Sequence, residues 1–444
     1  MANPGRISFG EKIAFGLGDC GCNFVWQILA TFISIYYTDS VMISAAAVGG
    51  IMLAARLLDG LSDLVMGFII DHTHTRWGKA RPWVLWSAPF MAIGLVLCFS
   101  IPDISETGKI IWAFCSYFFL TVIVYTASNL PYNGLLSFIT DKQAERTSLS
   151  AVRFVMTNIL AIILSFATPP AAKALGWLGI TSLYGGIAMV CLLVTFAFCK
   201  ETVKPKEEKE KMPFFRAVKN LAKNKYFYYV TFIFIIDYIL YSVNGSAGMY
   251  FCKYIFHNEN LLGILTLFTS VPMMFACLGF PAIAGRFGKW NCMIGGYVLM
   301  IVGFGIIGIF ADNLYAVLFG NILQGIGRAP HLAGLFALVA DVVDYGEWKT
   351  DTRIEGITYS VTSFGMKVGF GVGGAITGLV LAMGNYDGAA LVQSPEAINA
   401  IVALMAYIPV GLAILGMILM LTANLDKIYP QVLRELAERQ AARE

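Results

Sequence analysis

The chain has 444 residues, of which 58% are hydrophobic and 13% are charged, and its formal net charge is +3. Its mean hydropathy of +0.71 indicates a membrane protein and excludes an ordinary soluble domain. The small net charge gives no support for a nucleic-acid partner. The nine cysteines lie mostly in apolar segments and are interpreted as small buried hydrophobes rather than as a disulfide or metal framework.

About twelve apolar stretches are long enough to cross the bilayer, whose hydrocarbon core of roughly 30 Å takes about 20 helical residues. The first stretch does not resemble a cleavable signal, because it runs past signal length with Gly and Asn inside it. The sequence therefore predicts an all-α membrane protein with spans near 11–37, 44–71, 83–101, 110–139, 149–172, 178–199, 226–256, 261–285, 291–310, 314–343, 355–383 and 398–424.

The charged stretch KETVKPKEEKEK divides these spans into two groups of six. RWGK follows the second span and RFGK follows the eighth, which indicates two pseudo-repeated six-helix halves, as in transporters that alternate access to a central site. The predicted domains are a six-helix bundle over 1–199, a charged cytoplasmic linker over 200–225 with a short surface helix from Pro213, a second bundle over 226–424, and a cytoplasmic tail over 425–444.

Lysine and arginine concentrate on the termini and on one set of loops, whereas the other loops carry only Lys109, Lys173 and Lys253. By the positive-inside rule we expect both termini to be cytoplasmic. We expect this multi-pass protein to lie in the plasma or inner membrane of the cell.

The stretch RLLDGLSD places Arg56, Asp59 and Asp63 inside the second span. Asp59 and Asp63 are one turn apart and share a helix face, with Ser62 beside them. Ionisable groups at membrane depth mark functional sites by default. Three interpretations stay open: a hard-oxygen site for a small cation, a proton carrier, or a structural cluster balanced by Arg56.

Two spans carry polar side chains at helical spacing, which predicts either a ligand-binding face or interhelical hydrogen bonds. An aromatic side chain beside such a stripe could stack on a sugar ring. The stripes comprise Asp19, Asn23, Trp26 and Gln27 in span one and Tyr125, Thr126, Asn129 and Asn133 in span four.

Arg328 and His331 in span ten and Lys367 in span eleven are further ionisable groups at membrane depth. A lone histidine there is most often a satisfied core residue, but His331 is also a candidate substrate ligand, together with Arg328 and Lys367. The two cations each need an anion, either from the protein or from a substrate.

The motifs GLGDCGCNF, YYTD, RLLDGLSDLVMGFIIDHTHTRWGKARPW, YTASNLPYNGL and ADVVDYGEWKTDTRIEGITYS extend over nearly the whole chain. In these motifs the chain resembles the glycoside-pentoside-hexuronide:cation symporters, the melibiose-permease branch of the major facilitator superfamily. The resemblance implies sugar:cation symport by alternating access. We also expect no cofactor and a functional monomer.

In that family the cation lies between spans two and four, which implies Na⁺ or H⁺ at Asp59, Asp63, Ser62 and Thr126, with Asn129 adjoining. The resemblance also brings Arg153 and Lys367 near the sugar and cation sites. The expected cytoplasmic gate comprises Arg146, Arg286, Asp341, Asp344, Glu347 and Arg353.

The chain departs from the galactoside carriers, whose sugar-binding aspartates on spans one and four correspond to Asn23 and Asn129, and whose stacking tryptophan corresponds to Asn133. Loss of two anions leaves a more cationic site with Arg153, Arg328 and Lys367. We therefore expect a uronide, another anionic glycoside or a pentoside as substrate. The same change leaves Na⁺ and H⁺ equally supported as the coupling ion.

A Na⁺-coupled lysolipid carrier is an alternative, but it would need an apolar lateral opening, and the site residues are mainly polar. A membrane sensor would need a soluble output domain. No nucleophile with its base and no metal cluster is recognisable in the sequence, so we do not expect an enzyme.

Overall fold

A computed structural model of the chain describes residues 7–140, 142–203, 221, 223–350, 356–390, 392–422 and 424–441. These residues form almost only helices. The helices are α1 (Phe9–Ile35), α2 (Ala45–His72), α3 (Arg81–Cys98), α4 (Glu106–Phe118), α5 (Tyr125–Ile139), α6 (Gln143–Phe198), α7 (Lys225–Tyr254), α8 (Leu261–Phe287), α9 (Lys289–Ile309), α10 (Leu314–Thr350), α11 (Gly356–Met383), α12 (Pro395–Val402), α13 (Ile408–Thr422) and α14 (Tyr429–Ala441).

Three π-helical segments, which are uncommon in proteins, extend or join these helices. They are Tyr36–Ser40 after α1, Phe119–Val124 between α4 and α5, and Ala403–Tyr407 between α12 and α13. The fourth and twelfth predicted spans are therefore each one continuous helical stretch. Conversely, α6 holds two predicted spans, because Gly176 breaks its helical geometry with φ of +69° between them.

Ten stretches of the described residues are long and apolar enough to cross a membrane. Because α6 contains two spans and α2, at 28 residues, is itself long enough to span, the twelve predicted spans all correspond to observed helices. The predicted all-α membrane fold is confirmed.

The chain groups into two compact units. The first contains residues 1–207, 245–266 and 374–398, and the second contains 208–244, 267–373 and 399–444. The two six-helix halves stay a prediction, because parts of α7, α8, α11 and α12 group with the first unit. Most of the predicted linker, including its surface helix, lies outside the described residues.

In the first unit, α1 and α5 pack closely against each other. Tyr132 donates a hydrogen bond to the carbonyl of Phe15 at 2.8 Å, and their rings stack with centroids 4.9 Å apart. A Cβ at Gly18 would lie 2.6 Å from the Tyr132 ring, so only glycine allows this approach.

At the far end of α1, the carboxylate of Asp39 ties three segments of the first unit together. It accepts hydrogen bonds from Lys253 and Tyr254 at the end of α7 and from Tyr386 after α11. The Asp39 side chain is only 7% exposed, so this buried anion has the cation and hydroxyl donors that it needs.

In the second unit, α9 and α10 approach closely through pairs of glycines. A Cβ at Gly327 would clash with the carbonyl of Gly296, and one at Gly303 would lie 3.0 Å from the amide of Gln324. Such contact between small residues is typical of helix pairs in membranes. It brings α10 side chains within hydrogen-bond reach of α9.

Candidate functional site

The structure brings Asp59, Ser62 and Thr126 together in the first unit. Thr126 donates to Asp59 Oδ1 at 3.0 Å, and the Ser62 hydroxyl lies 3.4 Å from the same oxygen and 3.1 Å from the Thr126 hydroxyl. Asp59 is 2% exposed and Thr126 is 3% exposed. We name this group the Asp59 cluster.

Arg56 provides the charge partner of Asp59, as the three-residue spacing on α2 predicted. Its Nη1 lies 3.2 Å from Asp59 Oδ2, and it is 1% exposed. The guanidinium also lies 4.5 Å from the ring centroid of Trp26 on α1, which in turn is 5.5 Å from that of Tyr125. A buried arginine needs such a set of partners, because an unpaired charge at this depth is costly.

Asp63 lies one turn after Asp59 on α2 and is half-buried. Asn129 lies one turn after Thr126 on α5, where its side-chain oxygen accepts a hydrogen bond from Asn133 at 2.9 Å. Asn129 therefore lies one turn from Thr126 of the Asp59 cluster along α5, but its side chain is hydrogen-bonded to Asn133, one turn further along the same helix.

The remaining predicted substrate residues of the first unit include a polar row at membrane depth. Asn133 is exposed and accepts a hydrogen bond from Arg153 of α6 at 2.8 Å. Arg153 also interacts electrostatically with Asp19. Asn23 donates to the backbone carbonyl of Asp19 at 2.9 Å, and Gln27 lies one turn further along α1, half-buried.

In the second unit, α10 presents Arg328 and His331 toward α7. The Arg328 guanidinium lies 4.4 Å from the ring centroid of Tyr241. His331 Nδ1 lies 2.9 Å from Asp237 Oδ2, and its Nε2 lies 3.0 Å from the carbonyl oxygen of Met293. Lys367 is half-buried on α11.

The sequence analysis overlooked Asp237 and its second partner, Tyr297 of α9, which donates to Asp237 Oδ1 at 2.8 Å. A signal was present, because Asp237 is a single carboxylate in the otherwise apolar stretch FIFIIDYIL. The criterion that selected Asp59 and Asp63 selects Asp237 equally.

Four of the predicted gate residues have partners within their own unit. Arg146 donates to the carbonyls of Thr140 and Ser137, and Arg286 lies 5.4 Å from the ring centroid of Phe287. Asp341 pairs with Lys289, and Asp344 accepts from Tyr429 of the tail helix at 2.8 Å. Glu347 lies on α10 with them, and Arg353 lies outside the described residues. Their gating role stays a prediction.

The chain matches the family model described as MFS/sugar transport protein over residues 14–427. It belongs to this family. The predicted resemblance is thereby confirmed: this MFS protein is a membrane transporter and not an enzyme. The sequence is 36% identical to the isoprimeverose transporter of Lactiplantibacillus pentosus, over 99% of this chain and 94% of the relative.

Other relatives of this MFS protein come from Escherichia coli (strain K12). One, provisionally named as the glycoside/cation symporter YagG, is 30% identical over 97% of this chain and 96% of its own length. Another, named as a glucuronide carrier protein homolog, is 28% identical over 98% and 96%. These relatives give no support to the lysolipid alternative.

The solved structures agree on the fold. The crystal structure of the nucleoside transporter NupG superposes with a TM-score of 0.62 at 14% identity, over 92% of this chain and 98% of that one. At this identity the likeness supports the fold and carries no information on the substrate.

Proposed function

We propose that this transporter carries a pentosyl glycoside together with Na⁺. One relative is named for glycoside/cation symport and another for transport of isoprimeverose, and cation-coupled glycoside symport is the function of this chain. The choice of Na⁺ and of a pentoside goes further. The choice of Na⁺ is supported by the Asp59 cluster, and the choice of a pentoside is supported by the neutral amides on α1 and α5.

The Asp59 cluster supplies the oxygens that a small hard cation prefers. The two hydroxyls that now donate to or lie near Asp59 can rotate and present lone pairs to a cation instead. With Arg56, Asp59 and Asp63 all ionised, α2 carries a net charge of −1 here, which one monovalent cation neutralises. A proton would neutralise the charge as well, but it needs no convergence of several oxygens.

A direct test uses purified protein in sealed liposomes. With Na⁺ outside and the proton gradient collapsed by an ionophore, glycoside uptake is expected to continue; without Na⁺ and with an imposed proton gradient, it is expected to stop. Uptake that follows the proton gradient and ignores Na⁺ would overturn the choice of Na⁺ and leave the symport itself intact.

The pentoside proposal is supported by similarity to the isoprimeverose transporter over nearly the whole chain. Asn23, Asn129 and Asn133 each offer both donors and acceptors, so together they suit the hydroxyl groups of a neutral sugar. Arg153 is engaged by Asn133 at 2.8 Å, which reduces the need for an anionic ligand in the first unit.

A uronide is a second candidate, favoured by one observation in the second unit. Arg328 rests on the ring of Tyr241, and no carboxylate of the described residues forms a salt bridge with it. A guanidinium that packs on an aromatic ring and has no such salt bridge is well suited to bind a substrate carboxylate.

Competition for uptake distinguishes the two candidates. Xylosides are expected to inhibit uptake of a labelled pentoside more strongly than glucuronides or galacturonides do. The variant Arg328→Gln is expected to leave pentoside uptake within about twofold of the original, whereas loss of a charge-assisted hydrogen bond would weaken uronide binding by about tenfold or more. Stronger inhibition by uronides, with a tenfold loss in Arg328→Gln, would favour the second candidate.

We also propose that both termini are cytoplasmic and that the monomer is the transporting unit. Cysteine introduced at Lys79 should react with an impermeant thiol reagent only from the cytoplasmic side, and one at Lys109 only from the opposite side. Co-reconstitution of active and inactive copies should reduce uptake in simple proportion to the inactive fraction if monomers transport independently.

A further inference from the structure

A second acid lies at membrane depth in the other unit, separate from the Asp59 cluster. Asp237 lies near the middle of α7, and its side chain is 11% exposed, whereas that of His331 is 4% exposed. Both oxygens of Asp237 and both ring nitrogens of His331 have a partner. The number of hydrogens that this pair holds therefore follows from the chemistry of those partners.

The carbonyl of Met293 can only accept, so His331 Nε2 must carry a hydrogen. The 2.9 Å contact between Nδ1 and Asp237 Oδ2 then needs one more proton, on the imidazole or on the carboxyl group, because two lone pairs would otherwise face each other. Tyr297 donates its own hydrogen to the other carboxylate oxygen. In both arrangements the pair as a whole is neutral.

We infer that Asp237 and His331 share one exchangeable proton and form a second, proton-binding site in this transporter. An imidazole is the side chain best suited to exchange a proton near neutral pH, and the proton belongs to the pair rather than to either residue. The partial exposure of Asp237 provides a route for exchange. This inference does not depend on which glycoside is carried or on which ion binds at the Asp59 cluster.

The helices next to the pair carry further charged and titratable groups. On α10, Arg328 lies one turn before His331 and interacts electrostatically with Asp237. Helix α9 contributes Tyr297, and α8 contributes Cys277, whose thiol contacts the carbonyl of Ala329 at 3.7 Å. Helix α11 packs on α7 near Ile235 through Gly365 and Gly369, with Lys367 between them in sequence.

The proton sets the charge beside Arg328. With the proton bound, the pair is neutral and Arg328 leaves a net charge of +1; without it, the pair carries −1 and cancels Arg328. Loss of the proton leaves the neutral imidazole with a single N–H, which can donate to Asp237 or to the carbonyl of Met293 but not to both, so one of the two contacts of His331 is weakened. We therefore expect transport to decline at alkaline pH as this proton is lost.

Histidine labelled with ¹⁵N gives a readout that needs no substrate, because the chain has only four histidines. The variant His331→Gln assigns the His331 signals. A strongly hydrogen-bonded proton resonance that depends on His331 is expected in the original protein and should be absent from both His331→Gln and Asp237→Asn. Absence of that resonance from the original protein at pH 6 to 8, or its survival in Asp237→Asn, would overturn the inference.

Transport supplies the second readout. At saturating Na⁺, uptake by the original protein is expected to fall between pH 7 and pH 10. Asp237→Asn keeps an acceptor for Tyr297 and gives Nδ1 a permanent donor, so its uptake should vary by less than twofold over that range. The matched control Asp312→Asn, at an exposed position of the same unit, should keep the decline. An unchanged decline in Asp237→Asn would contradict the inference.

Discussion

Asp59 and Asp237 are both carboxylates in membrane-spanning helices, and each has one basic partner and at least one hydroxyl donor, yet the partners differ in kind. Asp59 pairs with a guanidinium, which stays protonated at all physiological pH values. Asp237 pairs with an imidazole, a kind of side chain that can be either neutral or charged. A permanent cation makes a site that responds to an added ion, whereas a titratable partner makes a site that responds to pH.

Among the variants that test this difference between Asp59 and Asp237, the substitution Asp59→Asn should have the largest effect. It removes the anion that we expect to bind Na⁺ and leaves Arg56 buried without its carboxylate. Na⁺-driven uptake should fall by about 100-fold or more, equivalent to ~2.7 kcal/mol. Thermal unfolding should also shift to lower temperature, because loss of one partner of a buried ion pair costs about 3–5 kcal/mol.

A double variant separates these two effects. Arg56→Met together with Asp59→Asn removes both charges, so most of the lost thermal stability should return while Na⁺-driven uptake stays lost. Recovery of Na⁺-driven uptake in the double variant would show that Asp59 serves only to balance Arg56, and the structural interpretation of the cluster would then be preferred.

A smaller change removes one hydroxyl from the Asp59 cluster. Ser62→Ala and Thr126→Val each delete an oxygen within 3.4 Å of Asp59 Oδ1 while leaving the Arg56–Asp59 pair in place. Each should weaken Na⁺ binding by about tenfold, or ~1.4 kcal/mol, as measured by Na⁺-dependent thermal stabilisation. Ser137→Ala, on the same helix as Thr126, serves as the control because the Ser137 hydroxyl donates to the carbonyl of Gly134, and this variant should bind Na⁺ as before.

The variant Tyr297→Phe tests the Asp237 site. It removes one hydrogen bond to Asp237, which is worth about 1 kcal/mol, but it leaves the shared proton with His331. Stability should fall slightly, and the alkaline decline in uptake should remain. Abolition of that decline by Tyr297→Phe would mean that the tyrosine, and not the imidazole, is the titrating partner.

The smallest effect is expected at the tail helix α14. Gln431 and Trp348 donate hydrogen bonds to Glu435, and these bonds lower the pKa of its carboxyl group below the ordinary 4.5. The stabilising bonds are thus fully present above the unfolded pKa and are lost as pH falls through the lower folded value. Glu435→Gln should make protease cleavage of the tail slightly faster at pH 7 and leave Na⁺-driven uptake unchanged. A loss of uptake would instead connect the tail to transport.

The sequence predicted local features well. The spacing of Arg56 and Asp59 on one helix placed them together, and the boundary near residues 173–177 coincides with the helix break at Gly176. Thr126 was assigned to the cluster only through family resemblance, since nothing local specifies a contact between residues 67 positions apart.

Sequence periodicity could not predict contacts between residues that are far apart in the chain. His331 lies 94 residues from Asp237 and could not be paired with it from spacing, so the histidine was interpreted as a core residue or a substrate ligand. Asp344 likewise was assigned to a gate, whereas its contact with Tyr429 of α14 depends on how the tail folds back on α10. Tertiary packing decides both contacts.

Sugar-dependent entry of ²²Na⁺ into proteoliposomes tests the role of the Asp59 cluster most directly. With the original protein, a pentoside is expected to drive ²²Na⁺ uptake, and the rate should fall about tenfold in Ser62→Ala and Thr126→Val at subsaturating Na⁺ but not in Ser137→Ala. Sugar entry accompanied by acidification of the interior, with no ²²Na⁺ uptake, would contradict the assignment of Na⁺ to this site.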